Sequence, residues 1–276
     1  MRSHLHHLIV YNNVIALDIL LKHLNLTGVE PVLADLLPIA EREGWSYSQF
    51  LERILAEAVA QRTEKRIAAQ LARAHFPFTA TIDSFDFTFR RDLKRQMLGR
   101  FLGPELVSDA RSLILEGPPG TGKTHLCIAI AYKAIQNGFV ARFTTAAALI
   151  NELCIAPNRT LALKPYLQPH VLVIDEMGYL GYGAGAADVL FQVVDHRYHQ
   201  GKPILFTTNK PLSQWGRVLH DEELAKAIID RTLHHGEYLK LTGPSYRLKG
   251  RSLNLETPTS EPVVVTSKEQ PVQAGD

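Results

Sequence analysis

Cysteine is scarce in this sequence, and so is any surplus of charge. Only two cysteines, Cys127 and Cys154, occur in 276 residues, and neither belongs to a C-x-x-C pair. A disulfide framework and a structural zinc site are therefore not expected. The formal net charge is only +2, so the overall charge does not indicate binding to nucleic acid, and any basic surface has to be local.

Long apolar runs are missing as well. No segment approaches the ~20 apolar residues that span a bilayer. Asn12 and Asn13 interrupt the short apolar patch near the start, which lacks the pattern of a secretory signal. We expect no membrane association and a cytoplasmic location. The chain does have 46% hydrophobic and 21% charged residues, which is enough for one large α/β domain with a smaller appendage.

Hydrophobic periodicity divides the chain into parts. Apolar residues recur at helical spacing from Leu17 to Ala74, and Ser46 with Gln49 has the spacing of a capping box, which predicts an all-helical N-terminal domain. Further on, short apolar strands alternate with helices, a pattern typical of a parallel sheet covered by helices on both faces. The predicted parts are an unassigned extension (1–16), the helical domain (17–75), a linker (76–100), the α/β domain (101–252) and a disordered tail (253–276).

The linker is rich in phenylalanine and then in positive charge. Phe-rich segments most often dock on a neighbouring domain, although the rings can also stack on bases. The basic cluster that follows contains Arg90, Arg91, Lys94 and Arg95. Taken alone, such a cluster usually marks a solvated helix face.

A phosphate-binding loop follows the first strand of the α/β domain. Residues 117–124 match G-x-x-x-x-G-K-[ST], between the apolar strand Leu113–Leu115 and a helix that starts at Lys123. The glycines let backbone N–H groups face the phosphates, and the helix adds the positive end of its dipole. Lys123 is expected to reach the β- and γ-phosphates of ATP, and the Thr124 hydroxyl to hold Mg²⁺. The residues of the loop predicted to bind the nucleotide are Gly117, Pro118, Pro119, Gly120, Thr121, Gly122, Lys123 and Thr124.

Phosphoryl transfer also requires a second anchor for Mg²⁺ and a group that orients water. Asp175 and Glu176 end the buried strand Val171–Ile174. We expect Asp175 to hold the metal through its water shell and Glu176 to polarise the attacking water. A pair of acids that merely caps a turn is the weaker alternative. Asn209 follows the next strand. It is equally consistent with a contact to the γ-phosphate or the attacking water and with a turn before Lys210.

Two arginines in the last third of the α/β domain are further candidates. Arg231 and Arg247 carry the fixed positive charge that can stabilise the transition state, and a charge supplied in trans ties hydrolysis to assembly. The residues alone do not distinguish either of them from an ordinary surface arginine.

Taken together, these motifs resemble those of the AAA+ superfamily, in particular the IstB-like ATP-binding proteins. That family consists of transposition helper ATPases related to the DnaC helicase loaders, and the resemblance covers about Leu20 to Arg251. The residues that carry it are Gly117–Leu126, Asp175–Leu180, Leu190–Gln192, Arg197–Tyr198, Thr207–Asn209, Trp215–Gly216, Ala227–Arg231, His234–His235 and Gly243–Arg247.

The resemblance implies roles that spacing alone does not assign. It implies that Asn209 senses the γ-phosphate, that Arg231 is an arginine finger for the ATP of a neighbouring subunit, and that Arg247 contacts ATP in cis. His125 belongs to the implied nucleotide-binding set. The family assembles ATP-dependent oligomers around duplex DNA and recruits its cognate transposase through the N-terminal module, which residues Leu21–Ala74 resemble.

One segment departs from the family pattern. Relatives usually carry a more basic helix before the Asp-Glu strand, whereas residues 158–170 here offer only Arg159 and Lys164 as candidates for DNA contact. The basic cluster of the linker is the other candidate, and its contacts to phosphates would be independent of sequence and sensitive to salt. A transposition helper is the favoured hypothesis; a helicase loader that resembles DnaC and a scaffold that binds ATP without hydrolysis are the alternatives.

Overall fold

The computed structural model describes residues 17–24, 26, 28–90, 93–178 and 181–249. The predicted extension, the predicted tail and Arg91 therefore lie outside the described residues. The helices are α1 (Leu17–His23), α2 (Val29–Glu43), α3 (Tyr47–Arg73), α4 (Gly99–Leu102), α5 (Glu105–Ser108), α6 (Lys123–Gln136), α7 (Ala146–Ile155), α8 (Arg159–Leu167), α9 (Ala186–His199), α10 (Trp215–Leu219) and α11 (Glu222–His234). The strands are β1 (Leu113–Glu116), β2 (Ala141–Thr145), β3 (Val171–Met177), β4 (Ile204–Thr208) and β5 (Glu237–Lys240). Short 3₁₀ turns are formed by Arg95–Leu98, Leu212–Gln214 and Tyr246–Leu248.

The five strands form one parallel sheet in the order β2-β3-β4-β1-β5. Strands β1 and β4 are buried along their whole length, because helices cover both faces of the sheet. Strand β5, at the edge, was not predicted. Its side chains alternate between half-buried and exposed, and Tyr238 and Lys240 are the exposed ones. This short, partly polar segment lacks the continuous apolar run that identified the other strands.

The strand order decides which loops meet. Strand β4 lies between β3 and β1, with Ile174 opposite Phe206 on one side and Leu115 opposite Thr207 on the other. The carboxyl ends of these three strands therefore adjoin one another. In open parallel sheets, ligands bind in the crevice outside these ends.

The N-terminal helices form a small cluster of their own and also join the main core. Helix α3 begins at a capping box in which Ser46 and Gln49 bond reciprocally, which confirms that prediction. Leu21, Val29 and Ala58 make up the small cluster. The last turns of α3 pack on the core below the sheet, and the Phe143 N–H donates to the Ala74 carbonyl over 2.7 Å. Packing thus continues across the predicted boundary at residue 75.

Two hydrophobic cores lie on the two faces of the sheet. One is built around α6 and includes Phe101 and Leu126; the other is built around α7, α9 and α11 and includes Leu190 and Trp215. Among the described residues, none of the helices has both the length and the apolar character needed to cross a bilayer.

Candidate nucleotide-binding site

A cavity of about 400 Å³ opens at the carboxyl ends of β1, β3 and β4. Part of its lining comes from the phosphate loop and from the strands beside it. The rest comes from segments that are distant in sequence. The lining residues are Phe78, Ser84, Phe85, Asp86, Arg90, Pro119, Gly120, Thr121, Gly122, Lys123, Thr124, His125, Glu176, Thr207, Thr208, Asn209, Tyr246 and Arg247.

The phosphate loop takes a conformation that favours glycine at two positions. Gly120 has φ +76° and Gly122 has φ +91°, both in the left-handed region. Space is also tight, since a Cβ on Gly122 would lie 2.6 Å from the Phe85 ring, and one on Gly120 would clash with Ser245. The loop therefore needs these glycines both for its dihedral angles and for the segments packed against it.

Lys123 starts helix α6 and turns back over the loop. Its ammonium group donates to the Gly117 carbonyl over 2.7 Å and to the Pro118 carbonyl over 2.9 Å. Burial lowers the pKa of Lys123; the Asp175 carboxylate opposes this effect, and the charges of Arg247 and Arg90 add to it. An anion in this cavity would therefore meet a lysine that is desolvated and positioned.

Asp175 joins the phosphate loop to strands β3 and β4. Its carboxylate is 5% exposed and accepts a hydrogen bond of 2.9 Å from the Thr124 hydroxyl. It also accepts one from the Thr207 hydroxyl, which in turn accepts the Glu176 N–H over 3.0 Å. The sequence pattern includes Thr207 in the motif Thr207–Asn209 but predicts no role for it in the site. Its position at the end of β4 was the signal that could have found it.

Glu176 has a backbone that is rare for a non-glycine residue. Its φ is +58°, and the pairing of β3 with β4 shifts register between Ile174 and Met177. The acidic pair therefore lies within the strand, at this irregularity, rather than just after it. Asp175 is buried while the Glu176 side chain is exposed and lines the cavity. Unusual backbone of this kind is typical of functional sites, where it re-aims a side chain.

The structure favours one of the two interpretations of Asn209. The turn after β4 is closed by the Thr208 hydroxyl, which accepts the Lys210 N–H and donates to the Lys210 carbonyl, both over 3.0 Å. Asn209 is not needed for that turn. Its Oδ1 is buried with no hydrogen-bond partner among the described residues, and the side chain lines the cavity. A buried amide oxygen of this kind is suited to a ligand or a water molecule.

The Phe-rich segment forms one wall of the cavity, which the sequence did not predict. The His125 ring lies 5.5 Å from the Phe85 ring and 6.4 Å from the Phe78 ring. Its Nε2 is 3.2 Å from the Ser84 hydroxyl and 3.2 Å from the Thr81 carbonyl. Phe85 and its neighbour Phe87 also pack on the main core. The segment therefore docks as expected, but it does so beside the phosphate loop.

Another part of the wall comes from the chain after β5. The Tyr246 N–H donates to the Gly120 carbonyl over 2.9 Å, and Arg247 follows in the same 3₁₀ turn. Both side chains line the cavity. The structure thus brings Arg247 to the phosphate loop of its own chain.

Arg231 lies elsewhere. Helix α11 ends at His234, just before β5 begins, so Arg231 is at the amino-terminal edge of the sheet, opposite the phosphate loop. Its Nε donates to Asp195 over 2.8 Å, and its guanidinium carbon is 4.6 Å from the centre of the Phe191 ring. The structure therefore does not bring Arg231 into the cavity of its own chain.

The candidates for DNA contact divide into two groups. Lys94, Arg159 and Lys164 are exposed, and Arg95 is exposed but forms an ion pair of 2.8 Å with Asp83. The structure corrects the expectation for the remaining described member: Arg90 is 3% exposed and donates to backbone carbonyls of residues 121 and 242. Burial removes it from any accessible basic surface.

Comparison with known proteins agrees with this geometry. The family described as IstB-like ATP binding protein matches residues 19–254. The chain belongs to this family. An ATP-binding protein of insertion sequence IS5376 from Geobacillus stearothermophilus is 36% identical over 233 residues, which cover 82% of this chain and 92% of that protein. An ATP-binding protein of insertion sequence IS21 from Pseudomonas aeruginosa is 33% identical over 264 residues, which cover 94% and 98%.

A solved structure supports the fold of this IstB-like chain. The crystal structure of DnaI is similar with a TM-score of 0.50 and 23% identity, over 60% of this chain and 89% of that chain. The expected family and the expected AAA+ fold, a parallel sheet between helices with a helical N-terminal region, are confirmed. The chain thus belongs to an ATP-binding family, and its cavity adjoins the loop that the sequence predicts to bind the nucleotide.

Proposed function

We propose that this protein is a magnesium-dependent ATPase that helps an insertion sequence to transpose, by assembling on duplex DNA and recruiting its transposase. One observation carries the ATPase proposal: the Glu176 carboxylate is exposed in the cavity beside the bonded pair of Thr124 and Asp175. The biological setting is supported by the two relatives, both of which are named as insertion-sequence ATP-binding proteins.

The triphosphate of ATP would lie along the loop of residues 117–124. The backbone N–H groups and the start of α6 favour an anion there. Lys123 now donates to two carbonyls of the loop, and it would exchange these for oxygens of the β- and γ-phosphates. Charge-assisted bonds to phosphate are stronger than bonds to neutral carbonyls, which favours the exchange.

The donor set beside the loop fits Mg²⁺. The Thr124 hydroxyl and the Asp175 carboxylate lie 2.9 Å apart, and both are hard oxygen donors. The ion, when bound, would supply positive charge to the β- and γ-phosphates. Thr207 holds the Asp175 carboxylate from the other side, so the carboxylate keeps its orientation.

Glu176 and Asn209 would act on the attacking water. The Glu176 carboxylate would accept a proton from the water as the water oxygen attacks the γ-phosphorus and the bond to the β-phosphate oxygen breaks. The Asn209 Oδ1, which has no partner among the described residues, would accept a hydrogen bond from the same water. Arg247, which also lines the cavity, would neutralise charge on the phosphates.

The aromatic wall would hold the base. A purine is flat and apolar on its faces, and Phe78, Phe85 and His125 surround the part of the cavity next to the loop. Contacts of this kind contribute through stacking and burial. We therefore assign the binding of the base to residues of both the linker and the α/β domain.

Arg231 would act on the ATP of a neighbouring subunit. It lies at the opposite edge of the sheet from its own phosphate loop, and Asp195 with Phe191 holds its guanidinium in place. Because Asp195 binds Nε, the terminal nitrogens can face another chain. Hydrolysis would then depend on assembly, with each subunit completing the site of the next.

DNA and transposase would bind other surfaces. Lys94, Arg159 and Lys164 are exposed cations that can contact phosphates of duplex DNA.

On helix α3, exposed apolar side chains recur at every fourth position, which is the pattern of an unpartnered helix face. These side chains are Tyr47, Leu51, Leu55 and Val59. We propose that the transposase binds this face of α3. A cytoplasmic location of the protein stays a prediction.

An ATPase assay tests the proposal. We expect hydrolysis to be stimulated by duplex DNA, and Glu176→Gln to bind ATP with near wild-type affinity but to lose at least ~100-fold in rate. The control is Glu43→Gln, which removes a carboxylate that is 49% exposed on the N-terminal module. Stimulation by single-stranded DNA alone would favour a helicase loader, and ATP binding without hydrolysis by the wild-type protein would indicate a scaffold.

A further inference from the structure

Two segments outside the phosphate loop are fastened to it and to each other. We call residues 85–90 and 241–249 together the clasp. Within the clasp, Lys249 forms an ion pair of 2.7 Å with Asp86, and the Phe89 and Tyr246 rings meet edge to face at 5.2 Å. The two segments are about 150 residues apart in the chain, so tertiary folding alone brings them together.

The clasp encloses the phosphate loop from both sides. The Phe85 ring fills the space beside Gly122, and Leu241 fills the space beside Gly117. The Leu241 N–H also donates to the Glu116 carbonyl over 2.7 Å, directly before the loop. A shift of either segment would therefore shift the loop.

Arg90 is the residue that joins all three parts. Its Nη1 donates to the Thr242 carbonyl over 2.9 Å, and its Nη2 donates to the Thr121 carbonyl over 2.9 Å. One rigid, planar guanidinium thus spans the linker, the loop and the segment that carries Arg247. The side chain is 3% exposed, so water does not compete for these donors.

Holding a carbonyl of the loop also orients an N–H group. The peptide unit is planar and trans, so the direction of the Thr121 carbonyl determines the direction of the Gly122 N–H. The Tyr246 N–H acts in the same way on the Gly120 carbonyl and hence on the Thr121 N–H. These are N–H groups of the kind that bind phosphate oxygens in such loops.

We propose that Arg90 is a positioning residue for the nucleotide site. It holds the phosphate loop and the segment that carries Arg247 in a fixed position relative to each other. The inference rests on the proposed binding of ATP in this cavity. It replaces a contact with DNA as the role of this arginine. The charge of Arg90 also acts on Lys123, whose pKa it helps to lower, so the two side chains are electrostatically close.

The test is nucleotide binding in the absence of DNA. Arg90→Gln and Arg90→Lys are compared with wild type by titration with a fluorescent ATP analogue and by steady-state kinetics. We expect Arg90→Gln to weaken ATP binding about tenfold, through the loss of two charge-assisted hydrogen bonds that orient the loop. KM should rise by a similar factor while kcat changes less than about threefold, because the reacting groups stay in place. Arg90→Lys should recover part of the affinity.

The control is Arg42→Gln, which makes the same substitution at an arginine whose side chain is 75% exposed. It should bind ATP as the wild type does. If Arg90→Gln binds ATP with wild-type affinity in a folded protein, the inference is overturned. If the wild-type protein itself fails to bind ATP, the proposed function fails instead, and the two results are therefore distinguishable.

Hydrogen exchange provides a second measurement should Arg90→Gln be too unstable to titrate. In Arg90→Lys, we expect the amides of residues 120–124 and those of residues 241–243 and 245–249 to exchange faster together, because one side chain restrains both segments. Unchanged exchange in both segments would overturn the inference. Faster exchange spread evenly over the α/β domain would also overturn it, since that pattern marks a general loss of stability.

Discussion

Arg197 offers a quantitative test of how the sheet is held in position. The side chain is fully buried on α9, and its two terminal nitrogens donate to four backbone carbonyls over 2.8 to 3.0 Å. One of these carbonyls, that of Tyr166, lies in the last turn of α8, and two lie between α8 and β3. The fourth belongs to Pro203, just before β4. Arg197 therefore aligns the starts of the two strands whose other ends carry Asp175 and Thr207.

The substitution Arg197→Met keeps a long side chain of similar volume but removes the donor from four carbonyls. The Pro203 carbonyl still accepts the Leu172 N–H over 3.3 Å, so three carbonyls are left unsatisfied. A buried polar group left unsatisfied costs about 1–3 kcal/mol. The lower limit applies, because burial of the charge is itself unfavourable. Burial lowers the pKa of Arg197 to about 9, although the group is still protonated at neutral pH. Three carbonyls at about 1 kcal/mol each give a loss of about 3 kcal/mol in the free energy of unfolding.

Thermal unfolding measures this loss. For a folded unit of this size, about 1 kcal/mol corresponds to about 2–4 °C in Tm, so Tm should fall by about 6–12 °C. Arg42→Met, on the exposed face of α2, is the matched control and should leave Tm nearly unchanged. A fall of less than about 2 °C for Arg197→Met would refute the reasoning, because it would mean that the carbonyls find other donors.

Two further predictions concern assembly and pH. Arg231→Ala should bind ATP but lose hydrolysis, and mixing it with Lys123→Ala should restore part of the activity; a mixture as inactive as its components would contradict a role in trans. His170 accepts a backbone N–H at Nδ1, and burial, followed by the charges of Lys202 and Arg197, lowers its pKa below the ordinary value of 6.5. The folded state then takes up the proton less readily than the unfolded state. The contribution of His170 to the free energy of unfolding should therefore be fully present above about pH 6.5 and decrease as the pH falls below that value. The His170→Asn variant should lose part of this dependence in urea unfolding measured from pH 5 to 8, and an unchanged pH profile would contradict the assignment.

The phosphate loop and the acidic pair could be predicted because their signals are local. Gly120 and Gly122 need left-handed dihedral angles, and the apolar strand before them sets the loop at the end of a sheet. Asp175 and Glu176 follow from the same logic on another strand. What the strand pattern could not show is the irregularity in register that separates a buried Asp175 from an exposed Glu176.

The run of basic residues in the linker led to a wrong prediction for Arg90. Arg90 stands in a run of basic residues, which typically marks a solvated face. The structure buries it against two carbonyls from residues 31 and 152 positions away. Burial depends on which distant segments fold over a side chain, and neighbouring residues in the sequence do not report it.

Strand β5 and the walls of the cavity are further features that the sequence pattern did not predict. The strand alternates polar and apolar residues at the edge of the sheet, so it resembles a loop until its pairing with β1 is known. Phe85 reaches the cavity from the linker before the α/β domain, and Tyr246 reaches it from the end of that domain. Phe85 belongs to no nucleotide-binding motif, and the resemblance that gives Arg247 a role gives none to Tyr246.

The sequence by itself determined that the chain has a phosphate loop on a parallel sheet, with an acidic pair at the end of a neighbouring strand. These features depend on dihedral angles, residue size and hydrophobic periodicity, which are properties of short segments. Only the tertiary structure decided that Arg90 and the segment after β5 fasten the loop. For Arg247 and Arg231 the residues alone left the role open and the family resemblance implied one, and the structure then placed Arg247 in the cavity and Arg231 at the opposite edge of the sheet. Those outcomes depend on strand order and on burial, which arise when segments more than a hundred residues apart pack against one another.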